Sequence, residues 1–395
     1  MDDIPTELQL VIVKHLAHAP RPEVHRGILQ VPSYTQLASN LEDTPLKALS
    51  STNKQWRKLT SPSLFTRLVI RMRREGQRNL SSSTLFRNAM KEVAARLSEL
   101  PKCIATKKDN RGGLVESLTL EIDPSVSAGP QAMRNPAKHS TDIITMHDFW
   151  RRLFDVLDPA ALAIIAPVEI LGWLTTTVPD MRDAWTFGDM RIQKLELTRD
   201  VGRRLGVRPS DQINTAWDTE YLFNARPWKS IALREGSMLQ AYGQYEYFHR
   251  NPPTILAGLC LPRSECLESF SLHCLFPFNT HLDELQLLSL SHYKQLHFHF
   301  SPAPNMEILD DAKVLGMADL VDCWREIEQI YQRILQQASL FGHDSRVCEF
   351  STGDYTIDSI RTMLDGGFEK LAEHGWESSG PGSWAKTRNK APLRA

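Results

Sequence analysis

Few residues of this chain are of the types and spacings that do chemistry. His297 and His299 alternate along one short segment, so in a strand they share a face. Two imidazoles on one face begin a metal site, but a third ligand is needed. His273, Cys274, His281 and His292 lie close enough in sequence to be considered, with their placement open. His343-Asp344-Ser345 contains the three residue types of a hydrolytic triad. Neighbours in sequence cannot form one, because its members must converge from separate elements, and the run reads as a polar turn. No nucleophile elbow, phosphate loop, dinucleotide fingerprint or H-E-x-x-H helix occurs. The six cysteines, at 103, 260, 266, 274, 323 and 348, form no C-x-x-C pair. The expectation is therefore no catalytic residue, no cofactor and no metal.

The bulk composition is that of a globular protein. Of 395 residues, 42% are hydrophobic and 24% charged, the balance of a globular chain, and the length suggests two or three units. The formal net charge of -1 argues against a general nucleic-acid or membrane-surface binder. The run 67–78 holds five arginines and one glutamate, but without interleaved aromatics it reads as a solvated strand end. No apolar run reaches spanning length, and the N-terminus lacks the pattern of a signal peptide. The expectation is a soluble, thiol-reduced protein of the cytoplasm, the nucleus or both.

The elements that would position a binding surface begin at the N-terminus. Residues 3–17 read as a helix, with Asp3 as cap and Pro5 in the first turn, where a missing N–H costs nothing. Ile4, Leu8, Val11, Ile12 and Leu16 fall on one side, Leu10 and Val13 on the other. Two apolar sides call for two covering partners. Residues 18–44 read as a loop-like insertion, 45–51 as a second helix, and 53–59 as a third carrying Trp56 and Leu59. A core this small needs a partner or a neighbouring domain to complete it.

The order Ile4-Pro5-x-Glu7-Leu8, Ile12, Leu16, then Leu46, Leu49, then Asn53-Lys54-x-Trp56-Arg57-x-Leu59, Pro62, Leu64-Phe65 and Leu68 resembles the F-box, in the style of filamentous fungi. The resemblance covers residues 2–70. It departs from the family at the long 18–44 insertion and at Asn53, where a cysteine is usual. It implies a three-helix module that binds the Skp-type adaptor of a cullin-RING ubiquitin ligase. The matching positions implied as adaptor contacts are Ile4, Pro5, Leu8, Ile12, Leu46, Leu49, Trp56, Leu64 and Phe65, with ordinary core burial as the competing role.

Beyond the module, residues 71–113 read as a linker region with an amphipathic helix at 81–100. Residues 114–376 read as an irregular strand and helix domain, so the whole chain is α+β, or mixed α/β. Alternating apolar and polar residues mark strands at 114–122, 192–197, 267–272, 285–290 and 296–300, with 347–350 as a last member. Helices are expected at 146–157, 159–165, 317–339 and 357–372. The strands are similar to leucine-rich-repeat units, in a degenerate array of uneven spacing. A compact domain with look-alike strands is the alternative. Residues 217–250 hold the densest aromatics, either core or a target-binding surface. Residues 377–395 read as a disordered basic tail. The reading is a substrate receptor with an unknown target protein. The alternatives are an F-box scaffold outside a ligase, and an enzyme with a pocket in 140–376.

Overall fold

A computed structural model describes residues 5–18, 45–72, 115–123, 149–151, 153–154, 157–177, 179, 192–200, 222–242, 253–260, 266–278, 290–302, 309, 315, 318–342 and 345–387. The expected features of the 18–44 insertion beyond His18, the 81–100 helix and residues 388–395 lie outside them, as do residues 285–289 of one expected strand.

Among the described residues, three helices open the chain: α1 (Thr6–His18), α2 (Pro45–Thr52) and α3 (Lys54–Phe65). Asn53 is in extended conformation, and its side chain accepts from the Trp56 N–H, which caps α3. Val13 and Trp56 form the buried centre of this module, with Leu49 and Leu59 packed against them. Gln9 is buried beside it and accepts a hydrogen bond from Gln55 Nε2 at 2.9 Å.

From α3 the chain passes through Thr66 into a sheet that has ten strands among the described residues. These are β1 (Arg67–Met72), β2 (Ser117–Ile122), β3 (Ala161–Pro167), β4 (Ile192–Thr198), β5 (Ser230–Ser237), β6 (Ser269–Leu275), β7 (Gln295–His299), β8 (Glu349–Thr352), β9 (Trp376–Gly380) and β10 (Ser383–Lys386). Their spatial order follows the chain from β1 to β8, then β10 and β9. Pairing is parallel except at β3–β4, β4–β5, β8–β10 and β10–β9.

The register builds continuous apolar rungs. One runs Leu118, Leu162, Leu197, Ile231, Phe270, Leu296, Phe350, Trp384 across eight neighbouring strands. The next runs Leu120, Ile164, Leu195, Leu233, Leu272, Phe298. These residues belong to one buried cluster. Helices complete it. The helix α7 (Leu320–Leu335) buries Cys323, Ile327, Ile330, Tyr331 and Ile334, and α9 (Asp358–Lys370) buries Ile360, Leu364 and Phe368. The shorter α4 (Val168–Thr175), α5 (Leu239–Tyr242), α6 (Leu256–Cys260) and α8 (Ala338–Phe341) lie between strands in the chain. The indole N–H groups of Trp150, Trp228 and Trp376 donate to the carbonyls of Leu174, Leu222 and Phe341, so these large side chains bury no unmet donor.

Two expectations are corrected, and one strand is added that the sequence did not mark. The run 159–165 is not a helix: β3 begins at Ala161 and pairs on both sides. A short apolar run buried on both faces shows no period that separates strand from helix. The strand β5 was not legible, because it lies within the aromatic-rich run 217–250, whose Phe223, Trp228 and Tyr242 are buried in the core. The segment from 377 is not a disordered tail as far as Thr387. The turn at Gly375, with φ 84°, starts a hairpin, β9 and β10. Trp384 anchors it by stacking on Phe368, with centroids 4.3 Å apart and 9° between planes. Glycine is also required at 172, where an added Cβ would lie 2.7 Å from Pro179 Cδ.

Candidate functional site

Two surfaces stand out among the described residues. The first is on α1. Gln9 and Val13 face inward, so the helix turns Leu8, Val11 and Ile12 outward at i, i+3 and i+4 spacing. Their exposures are 55%, 61% and 37%; Leu10, at 50%, is exposed on a different side of the helix. An isolated exposed leucine needs no explanation, but three large apolar side chains on adjacent turns of one short helix form a patch of the kind that interaction sites present. Of the residues implied as adaptor contacts, Pro5, Leu8 and Ile12 are exposed, Leu49 is half-buried, and Trp56 is buried at 3%. Trp56 thus packs in the module's core with Val13. Ile4 and the side chains of Leu46, Leu64 and Phe65 lie outside the described residues.

The second surface is the face of the sheet opposite the apolar rungs. Because side chains alternate along a strand, the residues between the rungs all emerge there, partly exposed and mostly polar. One row across β4 to β7 reads Lys194, Arg234, His273, His299. The neighbouring row, across β4 to β8, reads Glu196, Ala232, Ser271, His297, Ser351. His297 and His299 do share a face, and His273 joins them: its ring centroid lies 5.2 Å from that of His297 and 5.6 Å from that of His299. Cys274 points the other way, into the core, and His292 is exposed beyond the strand. Sequence reasoning missed Lys194, Glu196 and Arg234, because only the register of β4 against β5 brings them to the histidines.

The electrostatics of this face are set by its pairing. Burial opposes ionisation of Glu196, but Lys194 at 2.7 Å and Arg234 at 2.8 Å outweigh it and hold the carboxyl below its ordinary range. Burial, with the charges of Arg234 and the neighbouring imidazoles, pushes His273 down to about 2. Burial and His299 also lower His297, partly offset by Asp354. Both rings are therefore neutral near pH 7.

A hydrolytic relay is not assembled here. Ser351 Oγ lies 2.8 Å from His297 Nδ1, while the nearest imidazole to the Asp354 carboxylate is that of His299, whose Nε2 is 3.6 Å away. Asp354 is fully buried and accepts from the Phe300 N–H, the Ser301 N–H and hydroxyl, and the Tyr331 hydroxyl. It acts as a clamp joining β7, α7 and the turn after β8. Among the described residues, no group of three or more His, Cys, Asp or Glu is arranged to hold a metal ion. Among the described residues, too, no helix is long and apolar enough to cross a membrane. Comparison with protein-family models, with curated proteins and with solved structures returns no match for this chain.

Proposed function

We propose that this chain is the substrate-recognition subunit of a Skp–cullin–F-box ubiquitin ligase. The N-terminal helices dock on the Skp-type adaptor, and the sheet domain presents a target protein. The chain contributes proximity, holding a lysine of the target near the ligase, and supplies no reacting group.

The observation that carries this reading is the apolar patch of α1. Leu8, Val11 and Ile12 stand exposed on a helix whose other side is already closed by Val13 on Trp56. A second partner is what such a patch lacks, and interfaces draw most of their energy from a few apolar anchors of this kind. Pro5, Leu8 and Ile12 are also positions that the F-box resemblance marks as adaptor contacts. The strand order of the second domain supports a degenerate leucine-rich-repeat-like array, since β1 to β8 are added in chain order and each contributes a rung. Its uneven connections and its antiparallel steps at β4 depart from a regular array.

The test is binding of purified adaptor to the full chain and to a Pro5→Ala, Leu8→Ala double variant. Wild-type binding at micromolar affinity or tighter, lost in a folded variant, supports the reading. No binding by the wild type ends it. Capture of a cullin through the adaptor separates a ligase subunit from a scaffold that uses the adaptor alone.

A further inference from the structure

We infer that the open sheet face around His273 binds an extended, carboxylate-rich segment of a partner protein. This deepens the receptor reading, since it gives the chemistry of the target; it rests on that reading only for calling the partner a target.

Three features of the face point to this occupant. The first is its charge. Lys194 and Arg234 share the single carboxylate of Glu196, which leaves one positive charge over. Among the described residues, the other nearby acids are taken: Asp354 is turned into the core and accepts from Phe300, Ser301 and Tyr331, Glu121 pairs with Arg71, and Glu235 accepts from Gln193 and Thr254. The second is an unmet polar atom. His273 Nδ1 is shielded from solvent and has no hydrogen-bond partner, while its Nε2 lies 2.9 Å from Ser271 Oγ. The Ser271 contact fits either tautomer; where the serine hydroxyl donates to Nε2, the ring proton sits on Nδ1, an N–H with no acceptor among the described residues. Such a group is rare in a folded protein, and, being shielded, it meets an incoming acceptor when the ring turns toward the face. The third is shape. The row Lys194, Arg234, His273, His299 crosses four adjacent strands, about 14 Å at the usual strand spacing, the reach of four or five extended residues. A carboxylate is the ligand that meets all three conditions, because it accepts from Nδ1–H and pairs with Lys194 or Arg234. Amide or hydroxyl side chains on an extended segment meet the second and third but not the first.

The experiment uses the full chain and three labelled twelve-residue peptides, alternating serine with glutamate, with glutamine or with lysine. Fluorescence anisotropy is read at low and at physiological salt. The glutamate peptide is expected to bind at least tenfold more tightly than the glutamine peptide, to weaken as salt rises, and to leave the lysine peptide unbound. The Lys194→Gln, Arg234→Gln variant is expected to lose tenfold or more. Its melting temperature is compared with that of the wild type, and His273→Gln, which keeps every charge, supplies a second variant expected to weaken the glutamate peptide. Equal binding of the glutamate and glutamine peptides, no binding of either, or wild-type affinity in both variants overturns the inference. The adaptor is titrated into the same sample. Adaptor binding without glutamate-peptide binding overturns this inference and leaves the receptor reading standing. The reverse result leaves the anionic site and removes the ligase.

Discussion

Val13 of α1 packs on Trp56 of α3, and this one contact decides which side of the first helix faces water. With Val13 inward, Leu8 and Ile12 must point out, although all three are apolar and sequence alone does not rank them.

From this follows a separation of stability from binding. Trp56→Ala is expected to destabilise the helical module by about 3–5 kcal/mol, the usual cost of removing a buried tryptophan. Leu8→Ala with Ile12→Ala is expected to change stability by less than about 1 kcal/mol, because little burial is lost. The same pair is expected to abolish adaptor binding. Urea unfolding followed by circular dichroism, beside an adaptor titration, reads both. A double variant that unfolds as easily as Trp56→Ala would place those side chains in the core.

Asp354 concentrates the polar stability of the second domain. Asp354→Ala leaves the N–H groups of Phe300 and Ser301 and the Ser301 hydroxyl unmet in a buried place, while the Tyr331 hydroxyl keeps Thr352. An unmet buried donor costs about 1–3 kcal/mol, so a loss of at least about 3 kcal/mol is expected in the unfolding free energy. A loss under about 1 kcal/mol would mean that water reaches the clamp. Tyr331, whose hydroxyl is held protonated by burial and by Asp354, keeps its role as donor throughout the ordinary pH range.

The sheet face makes stability sensitive to mild acid. His273 titrates near 6.5 in the unfolded chain and is pushed down to about 2 in the folded one. Below pH 6.5 the unfolded state binds the proton and the folded state does not, so the folded state loses ground as pH falls. Between pH 6.5 and 5 the loss from this group is about 1–2 kcal/mol. His297 adds to it in the same direction. His273→Gln is expected to flatten the melting temperature across this window; an unchanged slope would show that the ring is solvated.

The C-terminal hairpin is a structural part of the domain. Trp384 is buried against Phe350, Phe368 and Tyr355. Trp384→Ala is expected to cost about 3–5 kcal/mol, and removal of residues 376–395, which also takes the buried Trp376, is expected to cost more. Limited proteolysis offers a second readout: cleavage between Trp376 and Lys386 in the native protein would contradict the hairpin.

Much of this architecture was legible because strand alternation leaves a mark that survives without neighbours. Leu118 and Leu120, Leu195 and Leu197, Phe270 and Leu272, and Leu296 and Phe298 each announce a strand with one buried face. The stripe Ile327, Tyr331, Ile334 announces a helix in the same way, and all three side chains are in the core. The paired placement of His297 and His299 on one face also follows from local geometry alone.

What tertiary structure decided is which segments meet. Ala161–Pro167 is a strand because neighbours pair with it on both sides, a fact absent from its own composition. The tail became a hairpin because Phe350 and Phe368 offer Trp384 a buried surface. Register set Lys194 and Arg234 beside His273, three residues spread over about eighty positions. Sequence by itself determined the periods, since each residue's direction depends on its immediate backbone. It could not determine the partners, because pairing and burial are properties of surfaces that exist only once the chain has folded.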